Sequence, residues 1–244
     1  MADSIKTLPG DEIVDTFRPT TVQLATGVTY SPQTDNYTTQ RAGFVRRSGY
    51  SGATDDKPIL WVETTSRRYD PQVNDYIIGT IIEKNMDQYK LDIGNCQVGF
   101  LSVIAFDGAT RHNCPKLEIG ELVYCRVAIV NKFLDPELTC CALVNKRDWV
   151  TGEAMFGPLK GGMLARVSVK FAHELMSDDN RVLNALGNKI RFEIAIGMNG
   201  HVWIDSETLR HTIIIINTLT KADQDPNVNV ELLIDRAIQV LAGE

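Results

Sequence analysis

Five short runs of β-forming residues, with one long polar loop after the third, occupy the middle of the sequence. The runs are Ile77 to Glu83, Tyr89 to Ile93, Val98 to Ile104, Leu122 to Val130 and Leu138 to Val144. The long loop extends from Asp107 to Gly120, and Leu134 to Glu137 connects the last two runs as a turn. This order of strands and connections is typical of a Greek-key barrel. We therefore expect a small five-stranded barrel in the middle of the chain.

The fourth run indicates how such a barrel is filled. Two sets of residues alternate along it, Val123, Cys125, Val127 and Ile129 in one set and Tyr124, Arg126, Ala128 and Val130 in the other. Because successive side chains of a strand point to opposite faces, the first set can fill the barrel interior.

The segments on either side of the barrel have a different texture, and the sequence predicts three domains at residues 1–66, 67–147 and 148–244. In the first segment, short strand-like runs alternate with turn-rich stretches, which predicts a small β domain. The runs are Val22 to Leu24, Phe44 to Val45 and Ile59 to Val62, and the polar loops are Pro32 to Thr39 and Ser48 to Lys57.

The last segment mixes both types of secondary structure and predicts an α+β domain. Val167, Val169 and Phe171 alternate with polar residues as in a half-buried strand, and Asp178 to Leu186 has helical spacing. Asp178 and Asp179 would form the acidic first turn of that helix. A hairpin follows from Ile190 to Ile204, and two helices close the chain. The first is capped by Ser206 and runs to about Lys221, and the second starts at Asn229 or Val230.

Composition restricts the class of protein. The chain of 244 residues is 43% hydrophobic and 23% charged, as in ordinary globular proteins, and it contains no apolar run of the roughly 20 residues needed to cross a membrane. The N-terminus lacks the pattern of a secretory signal, so we expect an intracellular protein without membrane contact.

The residues that most often carry chemistry are scattered. The five cysteines, at positions 96, 114, 125, 140 and 141, form no Cys-x-x-Cys pair and are expected to be free thiols. The four histidines, at positions 112, 173, 201 and 211, have no evident serine, cysteine or carboxylate arrangement around them. The sequence therefore predicts no catalytic residues, no metal site and no cofactor.

Three stretches of the sequence resemble the cap subunits of the eukaryotic RNA exosome that combine an S1 barrel with a K-homology (KH) domain. They are Asp75 to Gly94 with its hairpin, Phe106 to Tyr124 with its long loop, and the G-x-N-G element from Gly197 to Ile204. The resemblance implies an N-terminal β domain, a five-stranded S1 barrel of the OB-fold type and a C-terminal KH-like α+β domain.

The same resemblance implies a non-catalytic role. Such subunits sit on a ring of RNase PH-like proteins beside other cap subunits, stabilise the ring and guide single-stranded RNA into its channel for 3′–5′ degradation and processing, rRNA processing included. It also implies residence in the nucleus, nucleolus and cytoplasm.

Candidate RNA-binding residues lie on the barrel face and on the long loop. In S1 barrels, aromatic and basic residues of the second and third strands stack on bases and follow the backbone. The positions here are Lys84, Tyr89 and Lys90, and the alternative is that Tyr89 packs within the barrel. Arg111, His112 and Lys116 on the loop could contact phosphates, or the loop could be solvated or contact a neighbouring protein through Arg111.

The G-x-N-G element is predicted to be structural. It joins two strands, whereas the G-x-x-G loop with which KH domains clamp nucleotides joins two helices. Asn199 and Gly200 would supply the positive φ of a tight turn that begins at Gly197, and Trp203 would pack beneath it or against the barrel.

Net charge separates the competing functions. The formal charge is −6, and residues 67–147 hold 10 basic and 10 acidic side chains. A free-standing S1/KH regulator of RNA would be expected to carry a basic excess, which is missing. A ribonuclease bearing an S1 domain would need a catalytic domain with a carboxylate metal cluster, for which no segment remains. The balance of charges favours a subunit that binds RNA only weakly when isolated and relies on its partners for the rest of the binding.

Overall fold

The structure is a computed structural model. It describes residues 5–13, 23–24, 27–47, 59–64, 68–131, 133–143, 147, 154–177, 180–225 and 229–242. The chain divides into two compact units, Met1–Thr65 and Ser66–Glu244.

The first unit consists of two small sheets. Its strands are β1 (Ile5–Thr7), β2 (Glu12–Ile13), β3 (Gln23–Leu24), β4 (Val28–Ser31), β5 (Asn36–Thr39), β6 (Gly43–Arg47) and β7 (Ile59–Glu63). One sheet has the order β1-β6-β7-β3 and the other β2-β5-β4, and their strands are antiparallel except for the parallel pair of β3 and β7. Val28, Val45, Leu60 and Val62 form its buried core. The predicted loop Pro32 to Thr39 is wrong in its second half, because Asn36–Thr39 pairs with β4 as strand β5.

The second unit begins with the barrel. Its five strands are β8 (Tyr76–Lys84), β9 (Gln88–Asp92), β10 (Gly99–Phe106), β11 (Leu122–Asn131) and β12 (Leu134–Cys140). They follow the order β12-β10-β9-β8-β11, and the pairing of β11 with β12 closes the barrel. β10 and β12 pair in parallel, which is the crossover of a Greek-key barrel. The long connection between β10 and β11 allows the chain to make this crossover.

The barrel interior is filled mainly by aliphatic side chains from all five strands. Val123, Cys125 and Val127 are fully buried, as their alternation predicts. Ile129 continues the same row but is 55% exposed, so its predicted place in the interior is wrong. The strand extends beyond the end of the barrel core at this residue.

The hairpin between β11 and β12 is tighter than expected. Leu134 to Glu137 was predicted as a turn because of its Asp-Pro pair, yet β12 already begins at Leu134. Register irregularities of β11 against β12 on both sides of Ile129 accommodate Pro136, which lacks the N–H that a regular ladder needs.

An α+β domain completes the second unit. Its elements are β13 (Gly157–Leu159), β14 (Met163–Arg166), α1 (Val169–Leu175), α2 (Arg181–Gly187), β15 (Phe192–Ile196), β16 (His201–Ser206), α3 (Leu209–Gln224) and α4 (Val230–Ala242). β13 pairs with β11 of the barrel, and the other strands form a sheet of order β14-β16-β15. The four helices and this sheet share one apolar core.

Two local predictions in this domain are wrong. The strand expected over Val167 to Phe171 is wrong, because helix α1 begins at Val169. Ser168 caps this helix by accepting a hydrogen bond from the Phe171 N–H at 3.2 Å. The long helix α3 is capped by Thr208 and not by Ser206. Asp178 and Asp179 lie outside the described residues, and α2 is capped by Asn180.

Among the residues that the structure describes, no helix is long and apolar enough to cross a membrane. Nor is any group of three or more His, Cys, Asp or Glu residues in the described ranges placed to hold a metal ion.

Candidate nucleic-acid interface

The long loop between β10 and β11 is fixed to the barrel at both ends. At its start, the buried carboxylate of Asp107 accepts a hydrogen bond from the Ala142 N–H at 2.8 Å. At its end, Pro115 and Leu117 are buried, and the hydroxyl of Tyr89 donates to the Pro115 carbonyl at 3.1 Å. Both ends of the loop are therefore held against the barrel, and the loop has a defined position.

This arrangement changes the role of Tyr89. The side chain is 2% exposed, and its hydroxyl also accepts a hydrogen bond from the Leu117 N–H at 3.4 Å. A ring buried in the barrel core offers no face for stacking on a base, so Tyr89 is removed from the candidate RNA-binding residues. The alternative, that it packs within the barrel, is correct, and it anchors the loop that carries other candidates.

The tip of the loop presents basic side chains to solvent. Thr110 and Asn113 bond to each other through two backbone hydrogen bonds of 2.9 and 3.1 Å, which makes a tight turn of the four residues. Arg111 and His112 form the exposed middle of that turn, and Lys116 is exposed beyond it. Within the described part of the chain, Arg111 and Lys116 take part in no ion pair.

The barrel-face candidates Lys84 and Lys90 are held by carboxylates. The Nζ of Lys90 lies 2.6 Å from Oε2 of Glu83, and the Nζ of Lys84 lies 3.6 Å from Oε1 of Glu118. Both pairs are partly exposed, so each contributes little to stability, but the neighbouring carboxylate weakens the attraction of each lysine for phosphate. The loop therefore offers better phosphate contacts than the barrel face.

The G-x-N-G turn joins the α+β domain to the barrel. The side-chain amide of Asn199 is buried and donates to the carbonyls of Ile78 in β8, at 2.8 Å, and of Ile93 after β9, at 3.0 Å. Its Oδ1 accepts a hydrogen bond from the Ile78 N–H at 3.4 Å. One side chain thus satisfies backbone groups that the barrel ladder leaves open at this point.

Both glycines of the motif are required by this close approach. A Cβ at Gly197 would stand 2.8 Å from the Ile78 nitrogen, so a side chain would separate the turn from β8. Gly200 has φ of 78° and lies against the Val167 carbonyl, whereas Asn199 has no positive φ. The expectation that Asn199 shares the left-handed conformation is therefore wrong, and its part is played by the side chain.

His201 completes the same contact. Its Nδ1 lies 2.9 Å from the Ile78 carbonyl, which also accepts from Asn199, so Nδ1 carries the proton and donates. Burial lowers the pKa of His201 below its ordinary value of 6.5, and the positive charge of Arg166 acts in the same direction. The imidazole is held in its neutral form at neutral pH.

Sequence comparison addresses the same two domains. A family profile described as the S1 domain of exosome complex component RRP40 matches residues 69–150, and a KH-domain profile matches residues 162–210. Exosome complex component RRP40 of Saccharomyces cerevisiae is 36% identical over 88% of this chain and 88% of its own length. Exosome complex component rrp40 of Schizosaccharomyces pombe is 32% identical over 88% of this chain and 87% of its own length.

The chain belongs to the Rrp40 family of exosome components. The fold agrees with a solved structure as well. The crystal structure of an exosome complex RNA-binding protein superposes with a TM-score of 0.57 at 19% identity and covers 70% of this chain and 95% of its own. The order of barrel and KH-like domain predicted from the sequence is confirmed by these matches.

The sequence between α1 and α2 bears on whether the KH-like domain can clamp nucleotides. The connection between α1 and α2 contains no glycine pair, and its sequence, residues 176–180, includes two aspartates. The glycine motif instead joins β15 to β16 and faces the barrel, which agrees with its expected structural role. The sequence between α1 and α2 therefore differs from the G-x-x-G loop with which KH domains clamp nucleotides.

Trp203 lies elsewhere than predicted. Its Nε1 donates to the Gly161 carbonyl at 2.9 Å, and a Cβ at Gly162 would stand 2.7 Å from the same nitrogen. The indole therefore packs on the Gly161–Gly162 turn before β14, and not beneath the G-x-N-G turn or on the barrel.

Sequence reasoning missed that Asn199 and His201 contact the barrel. The available signal was an asparagine in the turn and a histidine at the start of the next strand, directly before the apolar run Val202 to Ile204. Polar side chains next to a buried apolar run need polar partners when they are themselves buried.

Proposed function

We propose that this chain is a non-catalytic cap subunit of the RNA exosome that stabilises the ring and guides single-stranded RNA towards its channel. The observation that carries this proposal is the loop of Arg111, His112 and Lys116, which projects cations from a rigid barrel in a member of the Rrp40 family. A guiding surface needs fixed charges and no chemistry of its own.

The rigid union of barrel and KH-like domain supports the same role. The hydrogen bonds of Asn199 and His201 hold the KH-like domain against the barrel. If a partner protein binds either domain, it therefore also fixes the position of the loop of Arg111, His112 and Lys116. We infer ring subunits of the RNase PH-like type and other cap subunits as partners. We also propose residence in the nucleus, nucleolus and cytoplasm, where exosome substrates are made and degraded.

Charge reversal of the loop tests the RNA path. Arg111→Glu together with Lys116→Glu should reduce RNA crosslinking to this subunit in the assembled complex. Because two phosphate contacts are lost, the slope of log affinity against log salt should fall by roughly two. The thermal unfolding of the chain should not change, because both side chains are exposed.

The matched control reverses two exposed cations of the other domain, Lys160→Glu with Arg181→Glu. This variant carries the same net charge as the loop variant and should crosslink to RNA like the unmodified chain. Equal crosslinking by all three proteins would remove the loop from the RNA path. A chain that does not assemble with the ring proteins would contradict the cap assignment itself.

A further inference from the structure

The hairpin of β11 and β12 extends beyond the barrel. The burial pattern of β11 alternates as far as Ala128, after which Ile129, Val130 and Asn131 are all exposed. Consecutive strand residues point to opposite faces, so exposure of all three means that both faces of β11 are exposed from Ile129 onwards. On β12, Leu134 is exposed whereas Pro136 is buried, so the part of the hairpin that projects into solvent is its tip, at residues 129–131 and 133–134.

The projecting end carries large apolar side chains. Phe133 is 84% exposed and Leu134 is 64% exposed, beside Ile129 and Val130. Together the four side chains expose on the order of 400 Å² of apolar surface. Ile129 and Val130 lie on opposite faces of β11, and Phe133 and Leu134 follow at the tip of the hairpin. An exposed apolar surface of this size is comparable to the largest patch of a typical monomeric protein, which is often functional.

The hairpin end is held in shape before any contact is made. The side-chain oxygen of Asn131 accepts a hydrogen bond from the Phe133 N–H at 3.3 Å, and Asn131 pairs with Leu134 across the strands. The Leu134 carbonyl accepts from the side-chain amide of Gln97 at 3.4 Å. A preorganised apolar element loses little conformational entropy when it binds.

Its charges favour a protein over RNA as the occupant. Lys132 is the only basic residue in the sequence between Arg126 and Lys146, whereas Asp135 and Glu137 are both acidic. Glu137 is exposed and pairs directly with Ile129. An apolar element flanked by carboxylates repels phosphate but complements an apolar groove with a basic rim.

We propose that the end of the β11–β12 hairpin is a protein-docking element that inserts Phe133 and Leu134 into an apolar, basic-rimmed groove on a ring subunit. This inference rests on the proposed function, since it names the surface with which the cap holds the ring. One side of a standard interface buries about 800 Å². The hairpin supplies about half of that area, so it acts as the anchor of a larger contact.

The test compares binding to the purified exosome ring that lacks this subunit. Phe133→Ser with Leu134→Ser should weaken binding by about tenfold or more, because buried aromatic anchors dominate interface affinity. The matched control, Met86→Ser with Ile104→Ser, removes two exposed apolar side chains from the β8–β9 and β10 side of the barrel. It should bind the ring like the unmodified chain.

The outcomes separate this inference from the proposed function. If the unmodified chain does not bind the ring, the cap assignment fails. If the unmodified chain and the hairpin variant bind equally, the assignment stands and the docking element is overturned. Equal loss in the hairpin variant and the control also overturns it, since any apolar residue would then serve. Thermal unfolding of each variant shows whether the fold is retained.

A second measurement does not depend on loss of binding. A photoreactive benzoylphenylalanine at position 133, in the complex assembled with single-stranded RNA, should crosslink to one ring subunit. The same group at position 86 should not. Crosslinks from position 133 to RNA, to a second copy of this chain or to nothing at all would each contradict the proposal.

Discussion

At the scale of single residues, His201 makes stability depend on pH. Its folded-state pKa is lowered below 6.5, mainly by burial, so the unfolded chain binds the proton more tightly than the folded chain. The stability is fully present above about pH 6.5 and is lost as pH falls from there towards the lower folded-state pKa.

We predict that His201→Gln flattens this dependence. The glutamine amide can still donate to the Ile78 carbonyl but does not titrate. Urea denaturation at pH 7.5, 6.5 and 5.5 should show a smaller loss of unfolding free energy for the variant than for the unmodified chain. Parallel curves for the two proteins would show that the imidazole is not the group responsible.

Tyr89 shows what a sequence conceals at this scale. The residue type alone does not show whether an aromatic side chain on the second strand of an S1 barrel faces solvent or the core. The register of the strand decides this. Here the register depends on the irregularity of β8 near Ile81 and on the loop that returns through Pro115. Those are contacts between distant parts of the chain.

At the scale of elements, the β15–β16 turn joins two domains through buried hydrogen bonds. Asn199→Ala would leave the Ile93 carbonyl without the amide donor and the Ile78 N–H without its acceptor, and it would open a small cavity. The Ile78 carbonyl would keep His201 as its donor. Each buried polar group left without a partner costs about 1–3 kcal/mol, so we expect a loss of about 2–4 kcal/mol in unfolding free energy. The exposed Asn188→Ala is the matched control and should cost less than about 1 kcal/mol.

Hydrogen exchange gives this prediction a second readout. The Ile78 amide and the β15–β16 turn should exchange faster in Asn199→Ala, and the unfolding of the two domains should separate into two transitions. A single transition with unchanged protection at Ile78 would show that the remaining contacts suffice to couple the domains.

Most elements followed from local pattern, and the exceptions had distant causes. The strands of the barrel and the β15–β16 hairpin were predicted from periodicity and turn residues. Helix α1 was missed because Val167, Val169 and Phe171 alternate as in a strand. The deciding contact comes from α3, where the carboxylate of Asp223 accepts hydrogen bonds from the Ser168 N–H and hydroxyl and so fixes the helix cap. No window of local sequence contains that contact.

At the scale of the whole molecule, charge sets how RNA is bound. The chain carries −6 overall, and Lys84 and Lys90 are paired with carboxylates, so the loop cations act against a repulsive background. We predict that the isolated chain binds single-stranded RNA with a dissociation constant above about 1 μM at physiological salt. Fluorescence anisotropy measures this dissociation constant directly. Submicromolar binding by the chain alone would contradict the hypothesis that the subunit depends on its partners to bind RNA.

The Asn199–Gly200 junction has a consequence for the chemical durability of the protein. Asparagine followed by glycine is prone to deamidation, because the glycine nitrogen can attack the side-chain amide when the backbone is free to move. Here the Gly200 N–H donates to the Gly197 carbonyl at 3.0 Å, and the Asn199 amide is engaged on both of its atoms. The contact between the two domains therefore protects Asn199 from deamidation. If the domains separate, Asn199 loses this protection. Once it has become an aspartate, refolding cannot restore the asparagine.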